Sequence, residues 1–322
     1  GVPHVGLTIA VLLRILLLEN TTSGASKMHR TCLLTLLFTI FLNLPALAED
    51  DKELWKLTEG FDGPESAYYD VASGHLFLSH VAGGGDEKDG IGWISKLTLD
   101  GQLVELKWFD GLNSPKGLRS HDGTLWVSDI DRIIAIDIAT GNQLKEVQIQ
   151  GAAFLNDLAI GPTGTVYVAD MVQSAIYQYK DDELSLFDKG EHLEHPNGLL
   201  VVKDTLYVGA WGTGFHPDDF STDILGHFYS IDIPSKKKTL ITTKPTGHLD
   251  GVEIDGKGGF IVTDWVNGKL FHITSKGTVT ILQEYEKGVA DHAYVPSKRL
   301  LLLPHMMNNT LTAFRMRRMP RR

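Results

Sequence analysis

The sequence predicts an all-β fold, a six-bladed β-propeller with four-stranded blades closed by an N-terminal strand. Three observations predict it. One short pattern recurs six times, each recurrence is followed by further strand-like runs, and no segment carries a helical period.

The recurring pattern is a polar or charged anchor, often before Gly-Leu or a similar pair, then a Gly or Asp turn, then a strand. The anchors are Glu65, Lys116, Asn156, Asn197, Asp250 and Asp291, at steps of 51, 40, 41, 53 and 41 residues. Ten to twelve residues after each anchor lies the middle of an apolar strand: Phe77, Trp126, Tyr167, Tyr207, Ile261 and Leu302. Third strands are expected over 93–99, 132–138, 175–180, 227–233, 269–273 and 311–316. Fourth strands are expected over 104–109, 144–149, 184–189, 238–242 and 279–284. The sixth copy shows no fourth run, and an unpaired run at 54–58 precedes the first copy. Lending that run to the last blade closes the ring and removes an exposed edge. A β-sandwich is the alternative, but it does not account for six equal offsets.

The chain has 322 residues, 43% of them hydrophobic, which is a globular composition. Met28-His29-Arg30, the apolar run 31–44 and Pro45-Ala46-Leu47-Ala48 read as a secretory signal over 28–48. Residues 1–27 read as a mis-called upstream extension, 49–316 as the propeller and 317–322 as a solvated basic tail. The expected location is therefore secreted or periplasmic. Cys32, the single cysteine, falls within the signal, so no disulfide is expected in the domain. The formal charge is −10, and leaving out Arg14, Lys27, Arg30 and Glu19 of the first 48 residues takes it to −12. That balance disfavours nucleic acid and anionic membranes as partners and leaves a small-molecule substrate; the oligomeric state stays open.

In a propeller the first strand of each blade lines the central tunnel, so the anchors should converge at one mouth. Gathering Glu65, Asp250 and Asp291 there is costly without a cation. Carboxylate and carboxamide oxygens suit a hard ion, and no His or Cys occupies an anchor. Calcium is the expected ion, or another divalent cation such as Mg2+, Mn2+ or Zn2+. Asp291 is also placed to pair with Lys116. About fourteen residues past the anchors lie His80, Asp129, Asp170, Trp211, Asp264 and His305. The three aspartates read equally as partners of the anchors or as turn acids. Insertions at 83–92 and 212–226 account for the long steps and would wall the site or cover it.

The stretches Gly63-Pro64-Glu65-Ser66-Ala67-Tyr68, Phe154-Leu155-Asn156-Asp157, Pro196-Asn197-Gly198-Leu199 and Asp250-Gly251-Val252-Glu253 resemble the gluconolactonase / senescence-marker-protein / luciferin-regenerating-enzyme family. Its wider relatives include diisopropyl fluorophosphatase, the paraoxonases and the strictosidine synthases. The resemblance spans about residues 53–316. It implies a six-bladed propeller with a catalytic divalent ion held by Glu65, Asn156, Asn197 and Asp250, the set the anchors also suggest. It implies lactonase, esterase or phosphotriesterase activity. Sugar lactonases commonly carry Arg where this chain has Phe154, which speaks against an aldonolactone.

The expected activity is metal-dependent hydrolysis of a small lactone or ester. Asp250 is the first candidate for base or nucleophile, with His80 or His292 in reserve. Lys116, Asp157 and Trp211 are candidate substrate contacts. A non-catalytic binding propeller and a strictosidine-synthase-like condensing enzyme are the rivals.

Overall fold

Period-two alternation sends neighbouring side chains of one strand to opposite faces of its sheet. In a ring of sheets each face meets a different neighbour, and that is how the chain packs. The computed structural model describes residues 51–317 and Met319, all within one unit, and the expected signal and upstream extension lie outside the described residues.

Strand β1 (Lys52–Leu57) joins the sixth blade. The first blade is β2 (Pro64–Asp70), β3 (His75–His80), β4 (Gly92–Thr98) and β5 (Leu103–Leu112). The second is β6 (Pro115–His121), β7 (Thr124–Asp129), β8 (Arg132–Asp137) and β9 (Gln143–Gln148). The third is β10 (Leu155–Ile160), β11 (Val166–Asp170), β12 (Ala175–Lys180) and β13 (Glu183–Lys189). The fourth opens with β14 (Pro196–Val202) and β15 (Thr205–Ala210). A separate hairpin, β16 (Gly212–His216) with β17 (Ser221–Leu225), follows before β18 (Phe228–Asp232) and β19 (Lys237–Leu240) complete that blade. The fifth is β20 (Leu249–Ile254), β21 (Gly259–Asp264), β22 (Lys269–Thr274) and β23 (Val279–Glu284). The sixth is β24 (Ala293–Val295), β25 (Leu300–His305), β26 (Thr310–Arg315) and β1, in register from Lys52↔Arg315 to Leu57↔Leu311. The six blades and the N-terminal closure are as expected.

Each blade–blade interface has its own apolar cluster. Leu76 and Leu78 of β3 pack toward the sixth blade, against Leu302 and Leu311, whereas Phe77 between them packs toward the second blade, against Leu118 and Val127. The closing interface is as well filled as the others, with Trp55 and Leu57 of β1 packed on it. Among the described residues no helix is long and apolar enough to cross a membrane. One expectation is corrected at the C-terminal side. Arg317, read as solvated tail, donates from its backbone N–H to Asp51 Oδ1 at 2.6 Å and from its side chain to the Leu282 carbonyl at 3.0 Å. Met319 is buried with Met316 between the fifth and sixth blades.

Candidate functional site

The anchors are aimed by a repeated irregularity. Each first strand of blades one to five carries one extra residue where it starts, as between Pro64↔His80 and Ala67↔Leu78, or Leu249↔Asp264 and Val252↔Val262. Such a bulge re-aims side chains. Three of these strands open on proline (Pro64, Pro115, Pro196), where a missing N–H costs the ladder little. Around the axis the strands approach closely. A Cβ built on Gly198 would lie 1.6 Å from the Asp250 carbonyl oxygen, so only glycine fits there.

A second repeated device holds the chain just before three of the anchors. Asp129, at the end of β7, accepts the N–H groups of Asn113 (3.0 Å) and Ser114 (2.7 Å) and is forked by Arg132. Asp170, at the end of β11, accepts those of Ala153 (2.8 Å) and Phe154 (3.2 Å). Asp264, at the end of β21, accepts that of His248 at 3.3 Å. These three aspartates are thus loop clips that set the approach to Lys116, Asn156 and Asp250.

Five of the six anchors line one cavity of about 300 Å³: Glu65, Lys116, Asn156, Asn197 and Asp250. Glu65 Oε2, Asn156 Oδ1 and Asn197 Oδ1 are buried there without a hydrogen-bond partner. The Asn197 amide nitrogen donates to the Leu249 carbonyl and to Asp250 Oδ1, both at 3.1 Å, which fixes the amide and leaves its oxygen bare. Burial, reinforced by neighbouring carboxylates, pushes Glu65 and Asp250 well above the usual carboxylate range. Orphaned oxygens and raised carboxylates in one place form a set that a cation would satisfy. The residues fit a hard divalent ion on chemistry: two carboxylates and two carboxamides, all oxygen. Among the described residues no group of three or more His, Cys, Asp or Glu is gathered for a metal.

Several expected site residues lie elsewhere. Asp291 does not line the cavity and does not pair with Lys116; it accepts the Ser66 hydroxyl at 2.5 Å and lies 3.6 Å from Arg119. Asp157 is no substrate contact. Its carboxylate accepts the N–H groups of Leu158 and Leu199, each at 2.7 Å, and so ties the third blade to the fourth. His80 is fully buried, stacked on Trp93, and occupies the clip position of the first blade. Its Nδ1 accepts the Asp62 N–H at 3.4 Å, and its Nε2 is 2.9 Å from Ser95 Oγ, which donates onward to the Leu106 carbonyl. That chain calls for a neutral ring, and burial lowers its pKa to about 3. His292 is fully buried away from the cavity, with both ring nitrogens unpartnered and its pKa lowered to about 3 by burial. Neither histidine can meet a substrate in the cavity.

Lys116 lines the cavity, but its ammonium is committed to the Gly85 carbonyl (2.8 Å), the Ser114 carbonyl (3.0 Å) and Ser114 Oγ (2.9 Å). Burial lowers its pKa to about 8, against the pull of Glu65. Its role is to tie the first insertion to the ring. Trp211 lines the cavity and donates from Nε1 to the Phe220 carbonyl at 2.7 Å, holding the β16–β17 hairpin over it. That insertion, expected from sequence to wall the site or cover it, is a regular hairpin.

Sequence reasoning missed Arg119. It belongs to the second blade and reaches Glu253 at 3.4 Å, Asp291 at 3.6 Å and Asp157 at 4.0 Å, which sit on three other blades; only an axial position allows this. The available signal was its place three residues after an anchor, where Glu253 also stands.

Fold and site together define a six-bladed β-propeller with a buried oxygen quartet at the floor of an axial cavity. No family model matches the sequence, and no curated protein matches it. Among solved structures it is similar to a gluconolactonase from Xanthomonas campestris, at 16% identity and a TM-score of 0.61 over 84% of this chain and 96% of that one. It is also similar to a catalytically inactive virginiamycin B lyase from Staphylococcus aureus solved with quinupristin, at 13% identity and a TM-score of 0.56 over 82% and 98%. A streptogramin B lyase gives 12% and 0.57 over 82% and 96%. At such identities the likeness is one of fold.

Proposed function

We propose that this chain is a divalent-cation-dependent hydrolase of small lactones or esters, with phosphotriesters in the same chemical class. The observation that carries the reading is the set of buried, unpaired oxygens of Glu65, Asn156 and Asn197 beside Asp250 at the cavity floor. These four side chains would hold the ion, and calcium suits an all-oxygen set best. When bound, the ion supplies Lewis acidity toward a carbonyl or phosphoryl oxygen.

The chain's own groups supply the rest. Asp250 Oδ1 accepts a hydrogen bond from the Asn197 amide, which leaves the other carboxylate oxygen for a proton or a substrate atom. Asp250 is therefore the candidate base or nucleophile. The Lys116 ammonium, its protons engaged, acts through its charge near the floor. Among the described residues no histidine lines the cavity, and this favours a second reading, a propeller that binds a small molecule without turnover.

The two readings separate in one experiment. Lactones, aryl esters and phosphotriesters are assayed with and without chelator, alongside metal content and an Asp250→Asn variant. The hydrolase reading expects one bound ion, turnover reduced at least ~100-fold by chelation, and a similar loss in the variant. Metal bound with no turnover of any substrate selects the binding protein. No ion taken up from saturating calcium removes both.

A further inference from the structure

Above its polar floor the cavity is walled by apolar side chains. Phe154 and Met171 come from the third blade side, Trp211 and Phe220 from the fourth, Trp265 from the fifth and Met306 from the sixth. The walls brace one another. Phe154 and Phe220 pack at 5.2 Å between ring centroids, and Trp211 and Trp265 at 6.3 Å. The Lys116 ammonium lies over the Phe154 ring, 4.3 Å from its centroid. The charged residues of the lining that are not at the floor, Asp86, Asp219 and Lys287, are exposed at the mouth. Connections on the same face also expose Ile91, Ile224 and Met307.

We infer that this site selects a substrate with an apolar arm, aromatic or medium-length alkyl, next to its ester or lactone carbonyl, and rejects polyhydroxylated lactones. The inference deepens the hydrolase reading and rests on it for the scissile bond alone. The physical reason is asymmetric. An apolar arm displaces poorly held water from the six walls and leaves nothing unpaired. A sugar-like ring brings several hydroxyls, and between floor and mouth the walls present ring faces and thioethers. The Trp211 N–H, a donor that could have served, is spent on the Phe220 carbonyl. Each hydroxyl stripped of water without a partner costs about tenfold in affinity. The hairpin residue Phe220 is the specificity element that an insertion in one blade added.

Two inert probes test this without turnover. One is a phenyl-substituted cyclic ketone, which offers the carbonyl without a scissile bond; the other is a polyhydroxylated δ-lactam. Calorimetry on the calcium-loaded protein is expected to find the ketone bound at least ~10-fold more tightly than the lactam. Phe220→Ser and Trp265→Ser are expected to weaken the ketone about tenfold each and leave the lactam unchanged, with native thermal melting recorded for both variants. Equal or tighter binding of the lactam, or ketone binding that ignores both variants, overturns the inference. Ketone binding with no hydrolysis of any ester sinks the hydrolase reading and leaves this one standing.

Discussion

The cavity floor and the layer beneath it are built by the same first strands, yet they treat buried charge differently. Beneath the floor, Arg119 stands among Asp157, Asp291 and Glu253, and each aspartate has further backbone or hydroxyl donors. The protein supplies its own cation there, and the surrounding acids push the guanidinium far above its ordinary range. At the floor, Lys116 is turned aside to hold a loop, and the oxygens of Glu65, Asn156 and Asn197 stay unpaired. The lesson is that this tunnel can set a cation of its own among buried acids and does so in the lower layer. Arg119 Nη2 and Asp291 Oδ1 lack hydrogen-bond partners too, so what sets the upper layer apart is that its bare oxygens belong to residues lining the cavity.

The sharpest way to break the comparison is Arg119→Leu. It strands three buried carboxylates and is expected to cost about 3–5 kcal/mol, read as a lower urea midpoint at neutral pH. Acidification should recover part of that loss, because burial already raises Asp157, Asp291 and Glu253 and protonation removes their charge. An unchanged midpoint would mean that the lower layer is not held by its cation.

The upper layer should behave in the opposite way, gaining from outside what it lacks. Calcium at about 100 times its Kd is expected to stabilise the protein by about 2.7 kcal/mol, a rise in Tm of roughly 5–10 °C. The double variant Glu65→Gln, Asp250→Asn should melt at the same temperature with calcium as with chelator. A calcium response that survives in the double variant would place the ion elsewhere.

The smallest effect belongs to Glu253, in the lower layer beside Arg119. Burial pushes it from 4.5 up to about 7, with Asp291 adding to the rise and Arg119 opposing it. The folded form therefore holds that proton more tightly than the unfolded chain. Its contribution to stability is complete below about pH 4.5 and is lost as pH rises through about 7. Glu253→Gln should flatten that part of the stability–pH curve, and denaturant midpoints between pH 4.5 and 8 will show whether it does.

Much of this architecture was legible because it is periodic. Anchors at steps near 45 residues gave the blade count, and alternation gave the strands, down to the pairing of 54–58 with the last blade. Four anchors picked out for their oxygens, Glu65, Asn156, Asn197 and Asp250, do line one cavity. Other assignments failed for one shared reason, which is that spacing along the chain does not say which way a side chain turns. Asp291 has the anchor spacing but turns to Ser66 and Arg119. His80 stands where three other blades place an aspartate clip, and it does the same work with a neutral ring. Asp157 lies beside an anchor, but the extra residue of the bulge directs it into the next blade.

The sequence by itself determined the ring: its repeats, its closure and the residues that reach the axis, because local patterning and short turns dictate each blade independently of the others. Tertiary structure alone decided which polar groups end unpaired and which find each other. Arg119 meets carboxylates from three other blades, and Phe154, Phe220, Trp211 and Trp265 wall one cavity, only once the ring has closed. The Arg119 meetings join residues from 38 (Arg119 and Asp157) to 172 (Arg119 and Asp291) positions apart, and local patterning does not set the distances between them.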